Sequence, residues 1–264
     1  MLICQISDLH ITAGGGLASG IVDTAGMFRA CVAHVLSLSR QPDAVVITGD
    51  LVDLGRAEEY RLLRDMLAPL PMPVHLIPGN HDDRGMLRTV FADHDYLPRT
   101  GPFLQYALED YPLRIVALDT VIPGEGGGRL CAERLEWLDH KLAAAPSRPT
   151  LVMMHHPPFR SFIGHMDAMG LDEPQGFRDV IARHPQVERV LCGHLHRPIQ
   201  ARVAQALVST CPSPAHQIAL DLAPDAPEGF AMEPPGYQLH LWTPESGVVS
   251  HTAVIGAFAG PYPF

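Results

Sequence analysis

The sequence predicts an α/β fold, a sheet of buried strands covered by helices, and three observations lead there. Short apolar runs of strand length alternate with helix-periodic segments over the first two-thirds of the chain. Polar residues of a few types gather where those runs end. The 264 residues are 47% hydrophobic and only 18% charged, which suits one large buried core and excludes a disordered chain.

Taken in order, Leu2–Ile6 is an apolar run that reads as a buried strand. Asp23–Ser39 carries Met27, Cys31, Val35 and Leu38 at spacings of three and four, the stripe of an amphipathic helix. Ala44–Ile47 is the next strand, and the helix after Gly55 presents Tyr60, Leu63 and Leu67. Val74–Ile77 and Ile115–Leu118 are further strands, followed by a helix over Ala132–Ala144 with Leu135, Leu138 and Leu142 on one face. Leu151–Met154 and Val187–Leu191 complete the alternating part. From Pro198 onward no long helix is legible. Val203–Thr210, Gln217–Leu222, Tyr237–Trp242 and Val248–Val254 read as strands of a second, largely antiparallel sheet. Ala223–Pro235, rich in proline and acidic residues, reads as a surface loop. The chain is expected to form one domain over residues 1–264, with its C-terminal segment (about 223–264) a cap or a subunit contact. Its apolar ending, Ile255–Phe264, is either a packed tail or the contact of a homo-oligomer, the second reading being preferred.

The net charge of −10 and the lack of any basic run argue against binding a nucleic-acid polymer. The longest apolar runs are far short of a membrane span, and MLICQISDLH has no basic segment of a secretory signal. The five cysteines form no CxxC pair and read as reduced core thiols, so a cytoplasmic location is expected.

The strand ends carry the chemistry. Leu2–Ile6 runs into Asp8 and His10, Ala44–Ile47 into Asp50 and Asp53, and Val74–Ile77 into Asn80, His81 and Asp82. Leu151–Met154 runs into His155-His156-Pro157-Pro158, and Val187–Leu191 into His194 and His196. In an α/β sheet the carboxyl ends of the strands share one edge, where ligands bind. Imidazole with carboxylate and no thiolate suits Zn, Mn, Fe or Co in preference to Ca or Mg. A pair of such ions needs a bridging carboxylate, for which Asp50 is the natural candidate. The D-x-H and H-x-H pairs, read as extended segments, would each place two side chains on one side to clamp an ion. Gly49, Gly79 and Gly193 precede proposed ligands, where a turn with unrestricted φ would let the chain leave its strand. Taken alone, Asp8 and His10 would be a helix cap and a surface histidine; the four later motifs reverse that. Asp53 reads as a cap or as a group that orients a ligand, and Asp119 as support or a turn residue.

D-x-H, G-D-x-x-D, G-N-H-D, H-H-P-P and G-H-x-H, in that order from Asp8 to His196, resemble the calcineurin-like metallophosphoesterases. PGNHDD, MMHHPP and CGHLH look most like the branch of class III cyclic-nucleotide phosphodiesterases and glycerophosphodiesterases, and Ser209–Ile218 resembles a later loop of that branch. The resemblance implies a four-layer αββα sandwich, two mixed sheets flanked by helices. It implies that Asp8, His10, Asp50 and His196 hold one divalent transition-metal ion and Asp50, Asn80, His155 and His194 a second. Only the first histidine of the H-H pair matches the family ligand, so His156 is not carried over. His81 corresponds to the histidine that contacts the phosphoryl oxygens or the leaving group, and His216 to a substrate-side histidine. The implied activity is hydrolysis of a small phosphodiester, a glycerophosphodiester or a 3′,5′-cyclic nucleotide, by hydroxide held between the two ions. Alternatives are a phosphomonoesterase or a non-catalytic scaffold. Arg160 and His165, in the loop after His-His-Pro-Pro, are candidates to line the pocket.

Overall fold

In the computed structural model, which describes residues 1–263, the order of elements positions the site. It runs β1 (Leu2–Ile6), α1 (Thr24–Leu36), β2 (Ala44–Thr48), α2 (Ala57–Leu67), β3 (Val74–Ile77), α3 (Arg84–Val90), β4 (Tyr106–Leu108) and β5 (Arg114–Ala117). There follow β6 (Gly128–Arg129), α4 (Ala132–Ala143), β7 (Thr150–Met153), α5 (Gly164–Asp167), β8 (Leu171–Asp172), α6 (Gln175–Arg183) and β9 (Val187–Cys192). The chain ends with β10 (Gln200–Val203), β11 (Ala206–Thr210), β12 (Gln217–Ile218), β13 (Phe230–Ala231), β14 (Gly236–Thr243) and β15 (Gly247–Val254). Phe264, the last residue of the apolar ending, lies outside the described residues.

Two mixed sheets result. One has the order β15-β14-β1-β2-β3 and the other β10-β11-β9-β7-β5-β4. β1, β2 and β3 are mutually parallel, as are β5, β7, β9 and β11. Alternation along the second sheet separates its two faces. Ile115, Ala117, Leu151, Met153 and Leu191 share a core with the first sheet, whereas Val116, Val152, Val190 and Cys192 pack with Leu138 and Leu142 of α4 and Phe177, Val180 and Ile181 of α6. Phe28, Cys31 and Val35 of α1 and Tyr60 and Leu63 of α2 join the core of the first sheet. The four-layer αββα sandwich is therefore the observed architecture.

The expectation of a separate antiparallel C-terminal sheet is wrong. β14 pairs antiparallel with β1, and β11 pairs parallel with β9, so the late strands extend both earlier sheets. The early parallel strands are themselves divided between two sheets, because the period-two apolar faces of β5, β7 and β9 need a second partner layer. Val203–Thr210 is likewise two strands, β10 and β11, joined by a turn at Ala204, whose φ is 51°. Three short helices, α3, α5 and α6, are not predicted by the sequence pattern; Asp83 caps α3 by accepting the Met86 N–H at 2.7 Å. No helix among the described residues is long and apolar enough to cross a membrane.

Two histidines are built into this framework as neutral groups. Burial, aided by Arg189, pushes His240 down to about 3, and burial with His94 nearby pushes His75 down to about 4. His240 lies between Gln5 Oε1 at 3.0 Å and Ser250 Oγ at 2.6 Å. The unfolded chain takes up a proton near pH 6.5 while the folded chain resists it, so stability falls as pH drops from 6.5 toward 4. Each imidazole accounts for up to about 1.4 kcal/mol per pH unit over that window. Chemical denaturation of chelator-treated protein at pH 7 and pH 5 should give a smaller difference for His75→Gln and His240→Gln than for wild type. The same substitution at exposed His251 should leave the difference unchanged.

Candidate metal centre

The carboxyl ends of β1, β2, β3, β7 and β9 converge where the two sheets meet, so the site lies across two sheet edges and not along one. Asp8 N–H donates to the Gly49 carbonyl at 3.0 Å, and His10 N–H to the Asp50 carbonyl at 3.0 Å, which lock the ends of β1 and β2 together. Gly193 N–H donates to the His155 carbonyl at 3.0 Å and does the same for β7 and β9. Across the sheets, Gln5 Nε2 donates to Thr48 Oγ1 and to the Cys192 carbonyl, each at 2.9 Å.

Asp8, His10, Asp50 and His196 form one buried group whose donor atoms lie within 4.8 Å of one another. His196 Nδ1 donates to the His216 carbonyl at 3.0 Å, and His10 Nδ1 lies 3.4 Å from Asp53 Oδ1. His196 therefore carries its proton on Nδ1 and presents a bare Nε2, which faces His10 Nε2 at 3.1 Å. Asp8 Oδ1 lies 3.7 Å from His196 Nε2, while its Oδ2 is buried without a hydrogen-bond partner.

A second group centres on Asn80. His155 Nδ1 donates to the Thr48 carbonyl at 2.8 Å, which aims Nε2 at Asn80 Oδ1, 3.1 Å away. His194 Nδ1 also lies 3.1 Å from Asn80 Oδ1. Asp50 joins the groups: its Oδ2 is 3.6 Å from His10 Nε2 and 3.4 Å from His155 Nε2, and its Oδ1 accepts the His81 N–H at 2.9 Å. Imidazole, carboxylate and amide groups buried this close together need positive charge among them, a proton or a metal cation. The donor set therefore fits divalent metal, with imidazole, carboxylate and amide but no thiolate.

The electrostatics follow from burial and from these contacts. Burial pushes Asp8 up to about 6. Burial opposes the charge on Asp50 as well, but neighbouring His155 holds it well below the usual carboxylate range. Burial alone would depress His155, and the Asp50 carboxylate instead raises it to about 9. Burial lowers His194 to about 3 and His216 to about 4.

Some local expectations are corrected here. Neither D-x-H nor H-x-H is extended: Asp8, His10, Asp50, His194 and His196 all have positive φ, between 46° and 70°. That backbone costs non-glycine residues on the order of 1 kcal/mol each and is held by the surrounding hydrogen bonds. H-x-H does not clamp one ion, because His194 turns to Asn80 and His196 to His10. Of the three glycines only Gly49 uses its φ, +96°. Gly79 and Gly193 are needed for space: a Cβ would stand 2.3 Å from Asp50 Oδ1 at Gly79, and 2.2 Å from Ser7 Oγ at Gly193.

Above the two groups lies a cavity of about 290 Å³. His81 and His216 line it, as expected. His81 Nδ1 donates to the Asp53 carbonyl at 2.8 Å, leaving Nε2 free. The His216 ring sits 4.7 Å from His196 and 5.0 Å from Phe230. His165 lines the cavity too, but Arg160 does not; it pairs with Asp167 at 3.4 Å. Asp119 is in none of the metal-binding groups and holds Arg84 through two contacts of 2.6 and 2.8 Å. The cavity wall also holds Ser19 and Ile218, and Met166, Met169 and Phe230 from the segments Arg160–Glu173 and Ala223–Pro235, which sequence reasoning marks for substrate choice without singling out these residues. These are loop and short-strand residues with no distinctive spacing, and only the three-dimensional arrangement brings them in.

A family model described as calcineurin-like phosphoesterase matches residues 1–198. The chain belongs to that family. Within it, the chain is 41% identical over 265 residues to a probable glycerophosphodiester phosphodiesterase GpdQ of Arcobacter nitrofigilis, covering 100% of this chain and 97% of that protein. It is 30% identical over 219 residues to a 3′,5′-cyclic adenosine monophosphate phosphodiesterase CpdA of Pseudomonas aeruginosa, covering 83% and 78%. Among solved structures, a dimetal phosphatase from Danio rerio shares the fold, with a TM-score of 0.62 at 15% identity over 97% of this chain and 99% of that one. The family and the clustered donors together establish a divalent metal centre.

The packing makes Gly79 a sensitive probe of that centre. Gly79→Ala should destabilise the fold by about 2 kcal/mol or more and displace Asp50. Denaturant melts together with metal analysis of the purified variant check this; a variant with wild-type stability and metal content would contradict it.

Proposed function

We propose that the chain is a metal-dependent phosphodiesterase acting on a small diester, a glycerophosphodiester or a 3′,5′-cyclic nucleotide. Asp8, His10, Asp50 and His196 would hold one divalent ion, and Asp50, Asn80, His155 and His194 a second. The observation that carries this reading is the pair of buried donor groups joined by Asp50 Oδ2, with the His10 and His196 Nε2 atoms 3.1 Å apart. Imidazole, carboxylate and amide donors favour Zn, Mn, Fe or Co at both positions.

Charge gives independent support. Among the described residues no lysine or arginine lines the cavity, whereas Asp50, Asp53 and Glu228 do. In a chain of net charge −10, an anionic phosphodiester would be repelled from this cavity by the protein alone. When bound, two divalent ions supply the missing positive charge and make water nucleophilic near neutral pH. The rest falls to the chain's own groups. Asp50 Oδ1, by accepting the His81 N–H, fixes His81 at the cavity edge, and the Asp53 carbonyl sets its ring. His81 Nε2 is then the atom that hydrogen-bonds a phosphoryl oxygen or passes a proton to the departing alkoxide. His216, held between His196 and Phe230, contributes a substrate-side imidazole.

A relative named as a probable glycerophosphodiester phosphodiesterase is 41% identical across the whole chain, whereas one named as a probable cyclic nucleotide phosphodiesterase is 34% identical across 95% of it. This favours a glycerophosphodiester over a cyclic nucleotide. The deciding experiment assays bis(p-nitrophenyl) phosphate before chelation, after it, and after adding Mn²⁺, with metal analysis on the same preparation. Activity lost and restored, with about two ions per chain as a two-metal site requires, is expected. Inactive, metal-free protein that Mn²⁺, Zn²⁺ and Co²⁺ all fail to rescue would instead identify a scaffold. Faster turnover of 3′,5′-cAMP than of glycerophosphocholine would move the substrate to the cyclic-nucleotide class.

His81→Ala should lower kcat by about 10²- to 10⁴-fold and leave metal content and melting temperature unchanged. A variant that loses metal in proportion to activity would make His81 a ligand support and remove it from proton transfer.

A further inference from the structure

His156 is fully buried beside the metal-binding groups, yet it has no part in the reading above. Its donor atoms lie within 4.8 Å of those of His155 and His194, close enough to make it a candidate ligand by distance alone. Its hydrogen bonds argue otherwise. Nε2 is 3.1 Å from the Gly126 carbonyl, which can only accept, so Nε2 carries the proton. Nδ1 then accepts from the Thr120 hydroxyl at 2.8 Å. The ring is satisfied at both nitrogens and has no lone pair left for a metal.

Its placement suggests another task. The His156 ring centroid lies 4.6 Å from that of His194 and 4.8 Å from that of His155, so it packs against two candidate ligands of one ion. His194 needs such a support. Its Nε2 is buried with no close hydrogen-bond partner, and packing against His156 helps set the rotation that turns Nδ1 toward Asn80. The brace behind His156 is itself tight: a Cβ at Gly128 would stand 2.3 Å from His156 Nδ1. Gly126, whose carbonyl fixes the ring, lies against Met169 of the cavity wall, where a Cβ would meet Met169 Sδ at 2.9 Å.

We propose that His156 is a positioning residue: clamped between Thr120 and the Gly126 carbonyl, it fixes the rotation of the His194 ring and so sets the affinity of the Asn80–His155–His194 site for its ion. This rests on the metal-centre reading, and the test separates the two. Metal-free wild type, His156→Phe, His156→Gln and Thr120→Val would be titrated with Mn²⁺ by calorimetry, with melting curves of the metal-free proteins alongside. His156→Phe keeps the ring but loses both hydrogen bonds, and should weaken one of two Mn²⁺ equivalents by about 10- to 100-fold, the usual cost of losing a residue that orients a ligand. The other equivalent should not change. Thr120→Val, which removes only the hydroxyl that fixes Nδ1, should weaken the same equivalent by less, and His156→Gln, with a donor and an acceptor on its amide, should recover part of the loss. Equal weakening of both equivalents, or none, would overturn the proposal. So would a stoichiometry that stays one ion lower at saturating Mn²⁺, because His156 would then be a ligand. A wild-type chain that binds no Mn²⁺ would overturn the metal-centre reading and this inference together.

Discussion

The structure depends on one electrostatic constraint: several imidazole, carboxylate and amide groups are held together, buried, with nitrogen and oxygen atoms directed inward. His10 and His196 oppose Nε2 atoms at 3.1 Å, and His155 directs its Nε2 at Asn80 Oδ1 at the same distance. Such an arrangement is costly to keep without positive charge among the groups, because they have left water for a crowded, buried site. The protein maintains it by committing the far nitrogen of each ring to a fixed acceptor. His155 donates to the Thr48 carbonyl and His196 to the His216 carbonyl, so these imidazoles cannot turn away from one another.

Those acceptors in turn depend on how the strands end. β1, β2, β3, β7 and β9 stop at one level, and backbone bonds such as Asp8 N–H to the Gly49 carbonyl continue the pairing past the last strand residue. The chain then turns sharply at Asp8, His10, Asp50, His194 and His196, all with positive φ. Strain at non-glycine residues persists only where the surroundings leave no alternative. Here the Gln5 side chain, by bonding Thr48 of one sheet and the Cys192 carbonyl of the other, holds the two sheet edges in register beneath the site. The two sheets are thus the device that brings two half-sites to one carboxylate, Asp50.

Much of this was legible in the sequence, and the reason is physical. β1 and β3 have the boundaries their apolar runs predict, because a buried parallel strand is apolar over most of both faces; Gln5 and His75, the polar residues within them, are hydrogen-bonded to Thr48 and the Cys192 carbonyl and to the Tyr111 hydroxyl. The candidate ligands were legible for the same reason, as they are the residues that end those runs. Sheet assignment was not. β14 reads as an ordinary strand, and nothing in Gly236–Thr243 indicates that it pairs with β1, over two hundred residues away. The conformation of D-x-H and H-x-H was also hidden: a spacing of two fits an extended segment as well as it fits two left-handed residues around one linker. Nor did sequence separate the roles of glycine, since Gly49 serves through φ and Gly79 through the missing Cβ, and both appear only as a glycine before a polar residue.

The same division explains why the chemistry is easier to infer than the substrate. The cavity floor is made by strand ends, where backbone pairing and close approach leave few residue types that fit, so its composition encodes phosphoryl transfer directly. The walls are made by loops and the small β12–β13 ribbon, which bring Met166, Met169, Ile218 and Phe230 to the cavity. Their apolar surface can receive many alcohols, and it carries no cation of its own to select a second anionic group. On the proposed reading, phosphate is recognised at the floor and the leaving group at walls that can change without disturbing the proposed ligands. His216 spans the boundary, since its carbonyl fixes His196 while its ring lines the wall. A loop substitution that moves its backbone would thus alter metal binding and substrate choice together, whereas one confined to Met166 or Ile218 would alter substrate choice alone.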